Sequence, residues 1–221
     1  MSGIKIFGLT DVGMEREKNE DSFCIFKTSD MEVAVVADGM GGHTGGQIAS
    51  STTVKTIKNY FQKNGKKLKI KELIEDSLTL SNRKIREMAA SLPSGMSMGT
   101  TCTMAVIKGK FCYYGHIGDS KLYHITKDSI TQISTDHTML QRMLDSGALK
   151  AEEAENYAHK NIIYRSIGGS ENFKTDSTKH FLFMNGEMLL LCSDGLSGYI
   201  TREQMFEILK QRQILKVLQN I

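Results

Sequence analysis

The sequence predicts an α+β domain built on antiparallel strands, and three observations lead there. Short strand-like runs open the chain, two long helical patterns lie side by side after them, and strand-like runs then resume before a helix at the end. This order differs from the strict βαβ alternation of a parallel sheet. The 221 residues are enough for one domain with a sizeable core. With no internal repeat, linker or low-complexity stretch to divide them, one domain over residues 1–221 is the economical reading.

The opening runs are IKIFGL (4–9), SFCIFK (22–27) and VAVVA (33–37), each of strand length. Helical spacing covers about 46–62 and 70–90. In the second stretch Ile70, Leu73, Ile74, Ser77 and Leu78 share a face, and Leu80, Ile85 and Met88 extend the pattern. The segment SLPSGMSMG (91–99) holds the only proline and two glycines and reads as a loop. Strand patterns return in TTCTMAVIKG (100–109), KFCYYGHIG (110–118) and SKLYHIT (120–126), with Lys108-Gly109 as a hairpin turn signal. From 137 to about 172 the chain becomes polar and helical. STKHFLFM (177–184) and EMLLLCS (187–193) then flank Asn185-Gly186, a pair typical of two-residue hairpins. An amphipathic helix runs from about 201 to the end.

Composition narrows the function classes. Hydrophobic residues make up 40% and charged residues 24%, ordinary for a soluble globular chain. No apolar run approaches the ~18 residues that span a bilayer, and the start lacks the basic and apolar regions of a secretion signal. The expected compartment is the cytoplasm, with no membrane partner. Net charge is +3 and the basic residues are scattered. The one basic cluster, KNGKKLKIK (63–71), lacks interleaved aromatics and reads as a solvated helix–helix connection, so no nucleic-acid partner is expected. Cys24, Cys102, Cys112 and Cys192 sit in apolar runs without CxxC spacing and read as buried thiols.

The chemistry lies in a repeated pattern. VAVVADG (33–39) ends in Asp38-Gly39, LLLCSDG (189–195) in Asp194-Gly195 and YGHIGDS (114–120) in Asp119-Ser120, while Asn19-Glu20-Asp21 directly precedes a strand. Carboxylates at strand exits lose hydration and repel one another when they converge. They can cap separate turns, share protons as an acid–base pair, or surround hard cations. Three repeats and an acidic pair favour one shared metal centre, and an all-oxygen donor set suits Mg²⁺ or Mn²⁺. The glycines after Asp38 fit neither GxxxxGK[ST] nor GxGxxG, and no GxSxG elbow is present.

TDVGMEREKNEDSF (10–23), VVADGMGGHTGGQIAS (35–50), MGTTCTMAVI (98–107), GHIGDSKLYHI (115–125), KNIIYRSIGG (160–169) and LLLCSDGLSGYI (189–200) resemble, in order, motifs of the bacterial metal-dependent type 2C protein serine/threonine phosphatases. The resemblance runs from residue 4 to about 208. It implies a four-layer α-β-β-α sandwich, two antiparallel sheets face to face with helices outside, and a centre of two Mn²⁺ or Mg²⁺ ions where the sheets meet.

By the same resemblance Asp38 bridges both ions, Gly39 lends its carbonyl, and Asp194 is the second aspartate ligand. Glu20 and Asp21 bind directly or through water, and Asp119 serves a third, weaker site shared with Asp194. Arg16 matches the arginine that grips the substrate phosphate, a task suited to its planar fork. Met40 stands where eukaryotic relatives carry histidine, which leaves His43 as the nearest general-acid candidate. His116 reads as structural. Residues from 137, within the polar stretch to about 172, correspond to a flap beside the metals.

The implied function is hydrolysis of phosphoserine and phosphothreonine in proteins by a metal-activated water, opposing a serine/threonine kinase. The alternative is a catalytically impaired pseudophosphatase that binds phosphoproteins. Two departures stand out. Lys121 replaces the arginine usual after GDS. The chain also ends at ILKVLQNI, without the family's closing strand and its Asp-Asn, so a C-terminally truncated sandwich is expected, with one metal ligand fewer.

Overall fold

The computed structural model describes residues 3–41, 45–92, 97–171, 173–177 and 180–211. The first strands are β1 (Asp21–Lys27) and β2 (Glu32–Met40), followed by helices α1 (Gly45–Asn64) and α2 (Ile70–Ala89). Then come β3 (Gly99–Thr100), β4 (Cys102–Lys108), β5 (Phe111–Ile117), β6 (Lys121–Ile125) and β7 (Ile130–Gln132). After α3 (Met139–Asp145) the chain adds β8 (His180–Leu182), β9 (Met188–Cys192), α4 (Asp194–Ser197) and α5 (Arg202–Lys210).

Two antiparallel sheets result. The larger has the order β1-β2-β4-β5-β8 with β3 also on β2, and the smaller has the order β7-β6-β9. Side-chain alternation in β2 shows how the layers form. Val33, Val35, Ala37 and Gly39 are buried towards the helices, while Ala34, Val36, Asp38 and Met40 point the other way and are half-buried. β4, central in its sheet, is buried on both faces from Cys102 to Ile107. Three cores follow. Ile57, Phe61, Leu73, Ile74 and Leu78 from the two long helices pack on Val33, Val35 and Met104. Ala105, Cys112, Tyr114 and Leu122 meet Leu189, Leu191 and Phe181 between the sheets. Tyr123, Ile125 and Cys192 pack beneath Met205 and Phe206 of α5. The sequence of layers is helices, sheet, sheet, helix: the four-layer sandwich.

Three local expectations change. Residues 4–9 form no strand. The segment crosses the ring of Phe23, which fills the place a Cβ on Gly8 would take, and Leu9 is 93% exposed. An apolar run becomes a strand only where another strand lies alongside it, and residues 4–9 belong to neither sheet of the described residues. The polar stretch after 137 is mostly turns. α3 starts at the Thr138 cap and stops before Gly147 (φ +71°), and no residue of it is buried. Alanine and glutamate favour helix, but a short helix without an apolar face to pack is marginal.

The turn at Asn185-Gly186 forms, with Gly186 at φ +89°, yet its flanking strands do not pair with each other. β8 joins β5 and β9 joins β6, so this turn carries the chain between the sheets. Glu187 Oε2 accepts the Met184 N–H (2.8 Å) in place of a hairpin rung. The closing helix is described only to Gln211. The expectation of a missing last strand bears on residues 212–221, which lie outside the described residues. Gly109 turns the β4–β5 hairpin at φ +60° as expected. All four cysteines are free thiols, and burial pushes Cys24 and Cys192 up to about 11. Among the described residues no helix is long and apolar enough to cross a membrane.

Candidate metal centre

The centre is assembled at one end of the sandwich from strand termini. Register places Asp21, first in β1, directly opposite Asp38 on β2. Asp119 lies just past the end of β5, and Asp194 opens α4 just past β9. Like charges facing each other across strands destabilise a sheet, so the pairing of Asp21 with Asp38 needs a compensating proton or cation. Burial, then the charges of Asp21, Asp194 and Asp119, push the Asp38 carboxyl up to about 8, helped by a hydrogen bond with the Asp194 carboxyl. Burial and Asp194 raise Asp119 to about 6, against the pull of Lys121. Without a cation, this cluster holds a proton at neutral pH.

Neighbours fix each member. Asp21 N–H donates to Asn19 Oδ1 (2.9 Å), and Ser193 Oγ donates to Asp21 Oδ2 (2.7 Å), tying the exit of β9 to the start of β1. Lys121 Nζ reaches Asp119 O (3.2 Å) and Asp136 Oδ2 (2.5 Å), so the residue in the usual arginine's place still makes an ion pair. Gly39 is wedged between chains: a Cβ there would fall 2.2 Å from Gly46 O and 2.7 Å from Glu20 O. The Glu20 carboxylate lies against Gly46, and its Oε1 is buried without a hydrogen-bond partner among the described residues.

Beyond the carboxylates lies a buried polar layer. Thr103 Oγ1 contacts Ser120 O (2.7 Å) and His116 Nδ1 (2.9 Å), and His116 Nε2 faces Thr135 O at 3.0 Å. A carbonyl can only accept, so Nε2 carries the proton of neutral His116, and the single Thr103 hydroxyl hydrogen is shared between Ser120 O and Nδ1. Burial, then the His137 charge, push His116 down to about 3. His137 Nδ1 accepts the Gly118 N–H (3.0 Å), and its Nε2 lies between Arg165 Nη1 (3.0 Å) and Asp176 Oδ2 (3.3 Å).

An all-oxygen donor set, a cluster that otherwise keeps a proton, and an orphaned Glu20 oxygen fit hard divalent cations. Among the described residues no group of three or more His, Cys, Asp or Glu side chains is placed to hold a metal ion; a cation here would need waters or main-chain oxygens beside the carboxylates.

Of the residues expected here, the structure brings Asp21, Asp38, Asp119 and Asp194 together, with Glu20 and Gly39 adjoining. Arg16 is exposed and is not among the main charges acting on Asp38 or Asp119. His43 lies outside the described residues. Sequence reasoning missed Asn19, Ser193, Thr100 and Thr101. Asn19 and Ser193 each neighbour a predicted ligand, and the two threonines lie in the quoted MGTTCTMAVI stretch, but their role needs the strand pairing to be seen.

The chain belongs to the protein phosphatase 2C family, whose family model, "Protein phosphatase 2C", matches residues 14–219. The serine/threonine phosphatase stp of Listeria innocua is 32% identical over 210 residues, covering 93% of this chain and 83% of that protein. The structure of the S. agalactiae serine/threonine phosphatase superposes with a TM-score of 0.82 at 30% identity, over 96% of this chain and 88% of that one. The catalytic domain of the serine/threonine protein phosphatase PstP, solved in complex with two manganese ions, gives 0.74 at 28% identity, over 94% and 88%.

Proposed function

We propose that this chain hydrolyses phosphoserine and phosphothreonine in proteins, in the cytoplasm and against a serine/threonine kinase, as one catalytic domain with a flap at about 137–172. One observation carries the reading: Asp21, Asp119 and Asp194, from three separate strand ends, all act on the half-buried Asp38. Two Mn²⁺ or Mg²⁺ ions, with a weaker third, when bound supply an activated water for in-line attack on phosphorus and offset the phosphoryl charge.

The residues' own roles follow from their places. Asp38, flanked by aspartates on more than one side, gives up its proton to serve two cations. Asp21 and Glu20 hold the first-sheet side, Asp194 the second-sheet side, and Gly39 contributes its carbonyl, since the crowded main chain there leaves no room for a side chain. Asp119 serves the weaker third cation together with Asp194. Exposed Arg16 is free to grip phosphate with two parallel hydrogen bonds. His43 is proposed to protonate the departing seryl or threonyl oxygen, a contribution of typically 10²–10⁴-fold. The named relatives, a phosphatase with this specificity and a two-manganese structure, support the reading.

The test is phosphate release from a phosphothreonine peptide with Mn²⁺. Turnover by the wild-type chain that disappears in EDTA and in Asp38→Ala is the expected result. Wild-type turnover no higher than that of Asp38→Ala, with phosphopeptide binding retained, would instead establish the pseudophosphatase.

A further inference from the structure

β3 and β4 pair with β2 in one continuous register. Val36 faces Thr103 and Gly39 faces Thr100, which sets Asp38 opposite Thr101. At that rung the ladder departs from main-chain pairing. Thr101 N–H donates to Asp38 O at 2.9 Å, as an antiparallel pair requires. The Asp38 N–H, however, goes to Thr101 Oγ1 at 2.9 Å, so a side-chain hydroxyl replaces the carbonyl. Thr100 Oγ1 covers both oxygens involved, at 2.8 Å from Asp38 O and 2.9 Å from Thr101 O. Thr101 Oγ1 is also 2.7 Å from Ser120 Oγ, on the residue after Asp119. Thr101 is 1% exposed and Ser120 fully buried.

We infer that Thr101 is a positioning residue for the metal centre: its hydroxyl fixes the main chain of Asp38 and, through Ser120, the spacing between Asp38 and Asp119. The inference rests on the reading of Asp38 as a metal ligand. Its physical basis is that the carboxylates at this end repel one another, and a repelled side chain moves unless its backbone is held. Three hydrogens meet at this one rung: Thr101 N–H on Asp38 O, Asp38 N–H on Thr101 Oγ1, and the Thr100 hydroxyl hydrogen between Asp38 O and Thr101 O. An ordinary ladder rung would hold the strands equally well without a hydroxyl. The substitution of side chain for main chain also creates the link to Ser120, which an ordinary rung lacks. Groups that orient metal ligands typically change metal affinity 10–100-fold when removed.

Thr101→Val keeps the shape and removes only the hydroxyl, leaving the Asp38 N–H without its acceptor. Thr101→Ser restores the hydroxyl. Calorimetric titration of Mn²⁺ alone into metal-free protein reads the effect without turnover. The expected result is 10–100-fold weaker Mn²⁺ binding in Thr101→Val, near-wild-type binding in Thr101→Ser, and an intermediate loss in Ser120→Ala, which keeps the fold testable if Thr101→Val does not fold. Wild-type affinity in Thr101→Val or in Ser120→Ala overturns the inference, as does equal weakening in Thr101→Ser. A wild-type chain that takes up no Mn²⁺ overturns the metal reading itself, and this inference with it.

Discussion

At Asp38, burial and three neighbouring aspartates act in one direction, and the carboxyl titrates at about 8 where an unfolded aspartate titrates near 3.8. Between those values the metal-free fold keeps a proton that the unfolded chain has released, so stability falls as pH rises through the window. His116 has the opposite sign. It is held down at about 3 against 6.5 when unfolded, so its contribution is complete above pH 6.5 and is lost as pH falls towards 3. The two oppose each other below pH 6.5, which leaves pH 6.5–8 to Asp38. In EDTA the unfolding temperature is therefore expected to decline from pH 6.5 to 8, and Asp38→Asn to flatten the decline. An unchanged slope in that variant would assign it to another group. The identity of such residues was legible in the sequence because aspartate before glycine or serine at a strand exit repeats. What holds them was not. Thr101 is an ordinary strand threonine until pairing sets it across from Asp38, 63 positions away in the chain.

At the level of elements, β2 and α1 meet so closely that glycine is required on both sides. A Cβ on Gly46 would lie 2.6 Å from Glu20 Oε1 and 2.8 Å from the Gly39 carbonyl carbon. Gly46→Ala is thus expected to push α1 off the strand end, destabilising by about 1–3 kcal/mol and weakening Mn²⁺ binding together. Gly195→Ala, whose nearest neighbour would be 3.7 Å away, is the matched control and should leave both close to wild type. If Gly46→Ala alters stability but not Mn²⁺ affinity, the junction supports the fold alone. The glycine run after Asp38 marked this place in the sequence, and the long helices were legible because each has an apolar face on one sheet. Residues 4–9 and the Asn185-Gly186 pair misled for one reason: both signals are local, whereas a strand or hairpin is settled by which chain lies alongside. Glutamate- and alanine-rich residues after 150 misled through propensity, with no core for a helix to pack on.

Across the whole molecule the four aspartates belong to different layers. Asp21 and Asp38 hang from the larger sheet, Asp194 follows β9 of the smaller, and Asp119 sits on the connection from β5 in one to β6 in the other. The apolar core between the sheets stops short of this end, where the Ser193–Asp21 hydrogen bond and the one between the Asp38 and Asp194 carboxyls tie them. A cation held among these carboxylates would therefore join the two sheets as well as serve the reaction, and its binding energy would appear as folding stability. At a Mn²⁺ concentration 100 times its dissociation constant the expected gain is about 2.7 kcal/mol, provided the unfolded chain binds none. Denaturant unfolding in Mn²⁺ and in EDTA measures it. Asp194→Asn, which weakens the anchor on the smaller sheet, should shrink the gain at fixed Mn²⁺, while the exposed Asp11→Asn should leave it whole. A full gain in Asp194→Asn would mean that the ion is held by the larger sheet alone, and the two-sheet clamp would have to be abandoned.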